Sequence, residues 1–379
     1  MTRIHQLITP SFLVDLDKME QNSNDIAELC KNNSKMLYPM VKTHKSMEIA
    51  NLQKAHGATG FLVGTLDEAE QLVQSGFREI TLAYPVAATE NIKRVVALVK
   101  KAHIIASFDG IEAASQLQKL LEPEGLKIEY LIIIDCGLHR FGVKPDKAVE
   151  LAKELSRLFA LTFKGISTHP GHVYGVSKLS DIERVAKEEI AALELAKACL
   201  VKAGFTVEIV ATGSTPTLPI AVLNKTITTL RPGNYVFYDA IQVALGIVPI
   251  ERCALTVQAT IIANPSENIF IIDAGSKCFG LDQGAHSASL VKGYGIVKEH
   301  PELLVEGLSE EVGKIRATSP TSLKVGDKIE VIPNHVCAAV NMTSFLFGHR
   351  HGIVEKVIEI DARGGTNRKI ITTGTGREK

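Results

Sequence analysis

Short β-branched runs recur eight times between Met36 and Leu230, and stretches of helical period separate most of them. The runs are Met36–Val41, Ala58–Val63, Glu79–Ala83, His103–Ser107, Tyr130–Ile134, Phe163–Ser167, Val207–Ala211 and Thr226–Leu230. The clearest helical stretch is Ile182 to Leu200. There Ile182, Val185, Ala186, Ile190, Leu193, Ala196 and Leu200 share one face, and Gly204 follows as a stop signal. Strand alternating with helix predicts parallel βα units, and eight such units predict a closed (β/α)8 TIM-type barrel rather than an open sheet.

From about Ile247 the texture changes. Runs such as ALTVQATII, NIFIIDAG and DKIEVIPNH alternate or are β-rich, and helical periodicity nearly vanishes. The chain is therefore expected to be α/β with a second, mainly antiparallel β domain. The expected division is an N-terminal segment at 1–25 packing with the β domain, a barrel at 26–246 and the β domain at 247–379. A length of 379 residues makes two domains the natural prior.

Composition excludes several function classes. Charged residues make up 22% and the formal net charge is zero, so no nucleic-acid or anionic-membrane partner is expected. No apolar run approaches the ~20 residues that span a bilayer, and the N-terminus does not read as a signal peptide. Six scattered cysteines without a CxxC predict free thiols in a reducing cytoplasm.

Polar residues cluster after the predicted strands, where a barrel of this type builds its active site. Lys42-Thr43-His44-Lys45 follows the first strand, Gly64-Thr65 the second, Tyr84-Pro85 the third, and DCGLHR the fifth. THPGHVY, GSTPT and RPGNY follow the sixth, seventh and eighth. Lys42 reads either as a lysine snorkelling from a strand end or as a partly buried, nucleophilic Schiff-base lysine. GSTPT and RPGN read either as two turns or as a phosphate cup of hydroxyls and backbone N–H groups. Arg140, His169 and Tyr174 read as loop residues or as pocket donors.

The segment PNHVCAAVN places His335 and Cys337 one residue apart. In an extended strand the two side chains would share a face. Imidazole and thiolate suit Zn2+, and without a second HxC or CxxC an open site fits better than a four-ligand structural one.

Together and in this order, VKTHK, GTLDEAE, LAYP, DCGLHRFGV, THPGHVY, GSTPT, LRPGNYVFYD, DAGSK and PNHVCAAVN resemble the fold-type III pyridoxal-phosphate enzymes with an alanine-racemase-like barrel. Within them the chain is similar to the metal-dependent D-serine dehydratase and D-threonine aldolase group. That resemblance implies pyridoxal 5'-phosphate held covalently by Lys42, which also serves as general base. Gly213, Ser214, Thr215, Gly233 and Asn234 would take the phosphate, and Arg140, Thr168, His169, Tyr174 and Tyr235 would line the ring and substrate. His335 and Cys337 would bind the metal, and a homodimer is implied.

His-x-Cys marks the zinc-using dehydratase members, whereas His-x-Asp marks aldolases that use a harder ion such as Mn2+. Cys337 therefore implies β-elimination from a β-hydroxy D-amino acid, as in D-serine to pyruvate and ammonia. D-threo-3-hydroxyaspartate dehydration and retro-aldol cleavage to glycine and an aldehyde are the alternatives. Racemisation needs no metal, and non-catalytic pyridoxal-phosphate-binding relatives lack a β domain. Two positions depart from the family pattern: Tyr38-Pro39-Met40 stands for Arg-Pro-His, and Val312 stands where many members have His.

Overall fold

The computed structural model describes residues 2–176, 178–283 and 291–363. The final stretch of the expected β domain, 364–379, lies outside the described residues.

Eight parallel strands form one sheet: Met36–Leu37, Phe61–Val63, Glu79–Leu82, His103–Phe108, Ile128–Ile133, Leu161–Ser167, Ile209–Thr212 and Thr229–Leu230. The first pairs with the eighth through Met36↔Thr229 and Leu37↔Leu230. A parallel bridge between Met40 and Leu62, with the Leu62 amide donating to the Pro39 carbonyl at 3.0 Å, joins the first strand to the second and closes the barrel. The first strand is shorter than its apolar run. Pro39 has no N–H for the ladder, and Val41–Thr43 turns into a 3₁₀ helix.

Alternation along the strands sorts the core into layers. Ile104, Ala106, Tyr130, Ile132 and Val210 face the surrounding helices, whereas Ile105, Leu131 and Ala211 form a separate cluster on the opposite face. Burial on both faces is why these strands read as unbroken apolar runs. The long helix spans Leu179–Lys202, and its predicted stripe is buried at Ile182, Val185, Ala186, Leu193, Ala196 and Leu200.

A second, nine-stranded and mostly antiparallel sheet follows the barrel. The N-terminal strand Ser11–Asp15 sits inside it, antiparallel to Leu255–Ser266 and parallel to Phe345–Arg350. Phe12, Leu13 and Val14 are buried there. The chain thus starts in the second sheet, builds the barrel and returns. The short helix Ala240–Ala244 leaves the barrel directly under the second sheet: the Ala240 amide donates to the Pro333 carbonyl at 3.1 Å, and Ile241 to Asn334 at 3.3 Å. This junction fixes where the PNHVC segment meets the barrel mouth. Among the described residues no helix is long and apolar enough to cross a membrane.

Candidate active site at the barrel mouth

Lys42 sits in the Val41–Thr43 turn between two buried residues, which turns its side chain out of the wall. The side chain is exposed at the mouth rather than partly buried. Its stem runs beside Gly64, where an added Cβ would lie 3.5 Å from the Lys42 Cβ. Gly64 is held from both sides, since its amide donates to Glu68 Oε2 at 2.7 Å and its carbonyl accepts from the Tyr84 hydroxyl.

Behind the turn lies a buried polar chain. His44 Nδ1 accepts from the Ser46 amide at 3.1 Å, His44 Nε2 meets Gln53 Oε1 at 3.2 Å, and Gln53 Nε2 donates to the Tyr235 hydroxyl at 3.0 Å. Burial lowers the His44 imidazole to about 4, so it is neutral. This corrects the expectation for Tyr235. Its ring points away from the mouth into the interior, and only its amide reaches the cup, donating to Thr215 Oγ1 at 3.2 Å.

The GSTPT segment is buried throughout. Gly213 adopts φ +136°, and a Cβ there would come within 2.9 Å of the Arg231 amide nitrogen. Ser214 Oγ and Thr217 Oγ1 are 3.1 Å apart, and Thr217 donates to Glu189 at 3.2 Å. Gly233 closes against the lysine turn, since a Cβ would meet Thr43 Oγ1 at 2.8 Å and Met40 Cβ at 3.0 Å. Asn234 Nδ2 donates to Asp239 Oδ2 at 2.6 Å.

Glu189 and Arg231, neither of them singled out from sequence, lie beneath the cup. Both are buried, and Arg231 Nη2 donates to the Thr168 carbonyl at 2.7 Å. The Thr168 hydroxyl donates to the Ile134 carbonyl at 2.6 Å, so Thr168 builds the wall rather than offering a free donor. His169 Nδ1 bonds the Gly213 carbonyl at 3.3 Å. Burial, then Lys42 and Arg140, push its imidazole down to about 3. Arg140, His169, Thr168 and Arg231 line one cleft with Asp135 and Phe141. Arg140 lies over the Phe141 ring at 5.4 Å, and that ring stacks on Tyr84 with centroids 5.9 Å apart.

The PNHVC segment is not a strand. The strand Lys328–Ile332 ends at Pro333, and Val336–Val340 is a short helix with His335 at its N-cap. Ala338 and Ala339 favour helix, and short apolar runs do not separate strand from helix by period. The two side chains nevertheless meet. Burial opposes the effect, but Cys337 and Asp239 raise the His335 imidazole, and His335, Lys42 and Thr43 hold the Cys337 thiol below its usual range. Cys337 Sγ is 3.3 Å from Thr43 Oγ1, and burial raises the phenol of Tyr174, which bonds Thr215 and lies near Cys337. The HxC pair, the lysine turn and the cup therefore converge at one mouth. An adjoining imidazole and thiolate-prone sulfur are a soft donor pair suited to zinc. Among the described residues no group of three or more His, Cys, Asp or Glu side chains is arranged to hold a metal.

The two side chains of the Tyr38-Pro39-Met40 departure fall in different places. Tyr38 packs against Gly60, where a Cβ would come within 2.4 Å of its ring, and its phenol is raised by burial and by Glu79 and Glu129. Glu79 and Glu129 stand at the N-terminal ends of their strands, so Tyr38 faces the end of the barrel opposite Lys42. Met40 alone of that pair lies beside the site.

A barrel of eight parallel strands with its polar residues at one mouth, roofed by an antiparallel sheet carrying a thiol–imidazole pair, defines an alanine-racemase-like enzyme. Residues 14–240 match the family of the alanine racemase N-terminal domain, and residues 254–348 match a serine dehydratase domain. The chain belongs to this family, in the branch of lyases that joins the two domains. It is 30% identical to D-threo-3-hydroxyaspartate dehydratase of Delftia sp. (strain HT23), over 88% of this chain and 91% of that one. It is 29% identical to D-serine dehydratase of Dictyostelium discoideum, over 92% and 94%. A cysteine-to-alanine variant of D-threo-3-hydroxyaspartate dehydratase, solved in a metal-free form, superposes with a TM-score of 0.88 at 28% identity, covering 95% of this chain and 99% of that one.

Proposed function

We propose that the chain is a pyridoxal-phosphate- and zinc-dependent dehydratase of β-hydroxy D-amino acids, with D-serine to pyruvate and ammonia as its representative reaction. The observation that carries this reading is the 3.3 Å approach of Cys337 Sγ to Thr43 Oγ1. It sets the thiol–imidazole pair one residue from Lys42, so an amine and a soft donor pair face one space.

Lys42 would hold the cofactor, and Ser214, Thr215 and the backbone around Gly213, Gly233 and Asn234 would take its phosphate. Pyridoxal phosphate, when bound, supplies an electron sink for the substrate Cα. Zinc, held by His335 and Cys337, supplies Lewis acidity toward the substrate's β-hydroxyl. Lys42 Nζ takes the Cα proton, a role that typically contributes ~10²–10⁴-fold in rate. His169, kept neutral by burial and by the cations around it, bonds the cup carbonyl and fixes the wall opposite Lys42. Arg140, exposed at the mouth, offers positive charge to a substrate carboxylate. Loss of the Cα proton and the β-hydroxyl amounts to loss of water, and hydrolysis of the product yields a 2-oxo acid and ammonia.

Lys42→Ala tests the assignment. The variant is expected to lose the visible absorbance of the cofactor-loaded protein together with turnover. A variant that keeps that absorbance removes Lys42 from the role.

A further inference from the structure

Two barrel residues meet the HxC pair from below. Asp239 is fully buried at the N-cap of the Ala240–Ala244 helix, where its Oδ1 accepts from the Gln242 amide at 3.0 Å. Capping needs only one oxygen acceptor, and a serine or threonine supplies one without a buried charge. The second oxygen of Asp239 does different work. Oδ2 accepts from Asn234 Nδ2 at 2.6 Å and from the Val336 amide at 3.1 Å, and it stands 3.7 Å from His335 Nδ1. The last separation is longer than a hydrogen bond, so the carboxylate oxygen faces the ring nitrogen without bonding it directly. One carboxylate oxygen thus touches the cup through Asn234, the HxC helix through its first amide, and the imidazole itself.

Thr43 is the counterpart on the sulfur side. It is buried, it adjoins Lys42 in sequence, its hydroxyl lies 3.3 Å from Cys337 Sγ, and it packs so closely on Gly233 that a Cβ there would approach to 2.8 Å. Each of the two residues therefore belongs to the barrel and contacts one member of the HxC pair and one part of the cup.

We propose that Asp239 and Thr43 are positioning residues for metal binding, Asp239 orienting the His335 ring and Thr43 the Cys337 sulfur. The proposal rests on the reading of His335 and Cys337 as metal ligands. A histidine that binds a metal through one nitrogen usually presents the other N–H to a carboxylate or carbonyl, which fixes ring and tautomer, and losing that partner typically costs 10–100-fold in affinity. With Nδ1 facing Asp239, Nε2 is the nitrogen left for the metal. With both positioning residues in the barrel and both ligands in the β domain, metal affinity becomes a property of the junction between them. The same contacts tie it to the cofactor cup through Asn234 and Gly233.

The test uses the full-length, cofactor-loaded protein and its Asp239→Asn, Thr43→Val and Thr43→Ser variants. Zinc affinity is read by competition with a chromophoric chelator, and ligand geometry by the red-visible bands of the cobalt-substituted proteins. Asp239→Asn is expected to weaken zinc by ~10–100-fold and to shift the cobalt bands. Thr43→Val is expected to weaken zinc and Thr43→Ser to restore it, with thermal melting of the metal-free proteins unchanged. Wild-type affinity and an unchanged cobalt spectrum in Asp239→Asn and Thr43→Val would overturn the proposal. So would weakened affinity that merely follows a lowered melting temperature of the metal-free variants. A wild-type protein that binds neither zinc nor cobalt would instead overturn the metal assignment beneath it.

Discussion

Replacing Glu189 by glutamine tests the electrostatics under the buried GSTPT segment. The Glu189 carboxyl is fully buried, is met by the hydroxyls of Thr212 and Thr217, and is pushed from 4.5 to about 8 by burial, against the pull of those hydroxyls and Arg231. A group whose folded pKa lies above its unfolded value stabilises the fold fully below the unfolded pKa. It loses that contribution as pH rises through the folded pKa, because the folded state then holds protons that the unfolded state has released. The window here runs from 4.5 to about 8. At about 1.36 kcal/mol per pKa unit, raising the pH from about 5.5 to about 8.5 removes roughly 3 kcal/mol of stability through this one group.

Glutamine keeps the shape and can still accept from both threonines, so Glu189→Gln should lack that loss. Urea unfolding of both proteins across this pH range gives the difference directly. His103 titrates in both proteins and cancels; burial opposes its charging, but Glu79 and Glu129 raise it. Near pH 7 ionisation in the unfolded state already costs the wild type roughly 3 kcal/mol that the variant does not lose. After the ~1–3 kcal/mol cost of a disturbed buried hydrogen bond, the substitution should therefore be neutral to stabilising. Parallel pH profiles would refute the reasoning. So would a loss of ~3–5 kcal/mol near pH 7, which is what breaking a charged Glu189–Arg231 pair would cost.

His44→Ala leaves the Ser46 amide and Gln53 Oε1 without their partner, so it should lower stability by roughly 2–5 kcal/mol in denaturant titration. A loss below ~1 kcal/mol would show that the buried chain behind Lys42 is dispensable. Gly165→Ala places a Cβ 1.9 Å from the Ile209 carbonyl oxygen, a backbone clash between neighbouring barrel strands. It should destabilise by ~4 kcal/mol or more, read as insoluble expression or a collapsed melting temperature. Cys337→Asp exchanges a soft donor for a hard one, and if position 337 binds the metal as proposed, competition binding should show preference moving from Zn2+ toward Mn2+. An unchanged preference would separate the metal from position 337.

The barrel was legible because its strands are buried on both faces and its longest helix carries a long apolar stripe. Period alone could not reveal that Pro39 would shorten the first strand, nor that PNHVCAAVN would turn helical after Pro333. A five-residue apolar run is too short for strand and helix to differ. His335 and Cys337 still meet, although the argument from strand geometry that first linked them does not hold.

Motifs located the mouth, but not the direction in which each side chain points. Tyr235 was expected to line the ring and substrate, yet it sends its ring to Gln53, a partner 182 residues away in sequence. Glu189 did leave a trace. It sits among Val185, Ala186 and Leu193 on the apolar stripe of its helix, where a carboxylate signals a buried polar partner. Asp239, Thr43 and Arg231 lie inside recognisable motifs, but only the fold brings the first two up to the HxC pair and sets Arg231 under the cup.

The most direct measurement offers D-serine, D-threonine and D-threo-3-hydroxyaspartate to the cofactor-loaded protein, with and without a metal chelator, and identifies the products. The account predicts a 2-oxo acid with ammonia, and turnover that chelator abolishes and zinc restores. Glycine with an aldehyde, or full turnover in chelator, would contradict it.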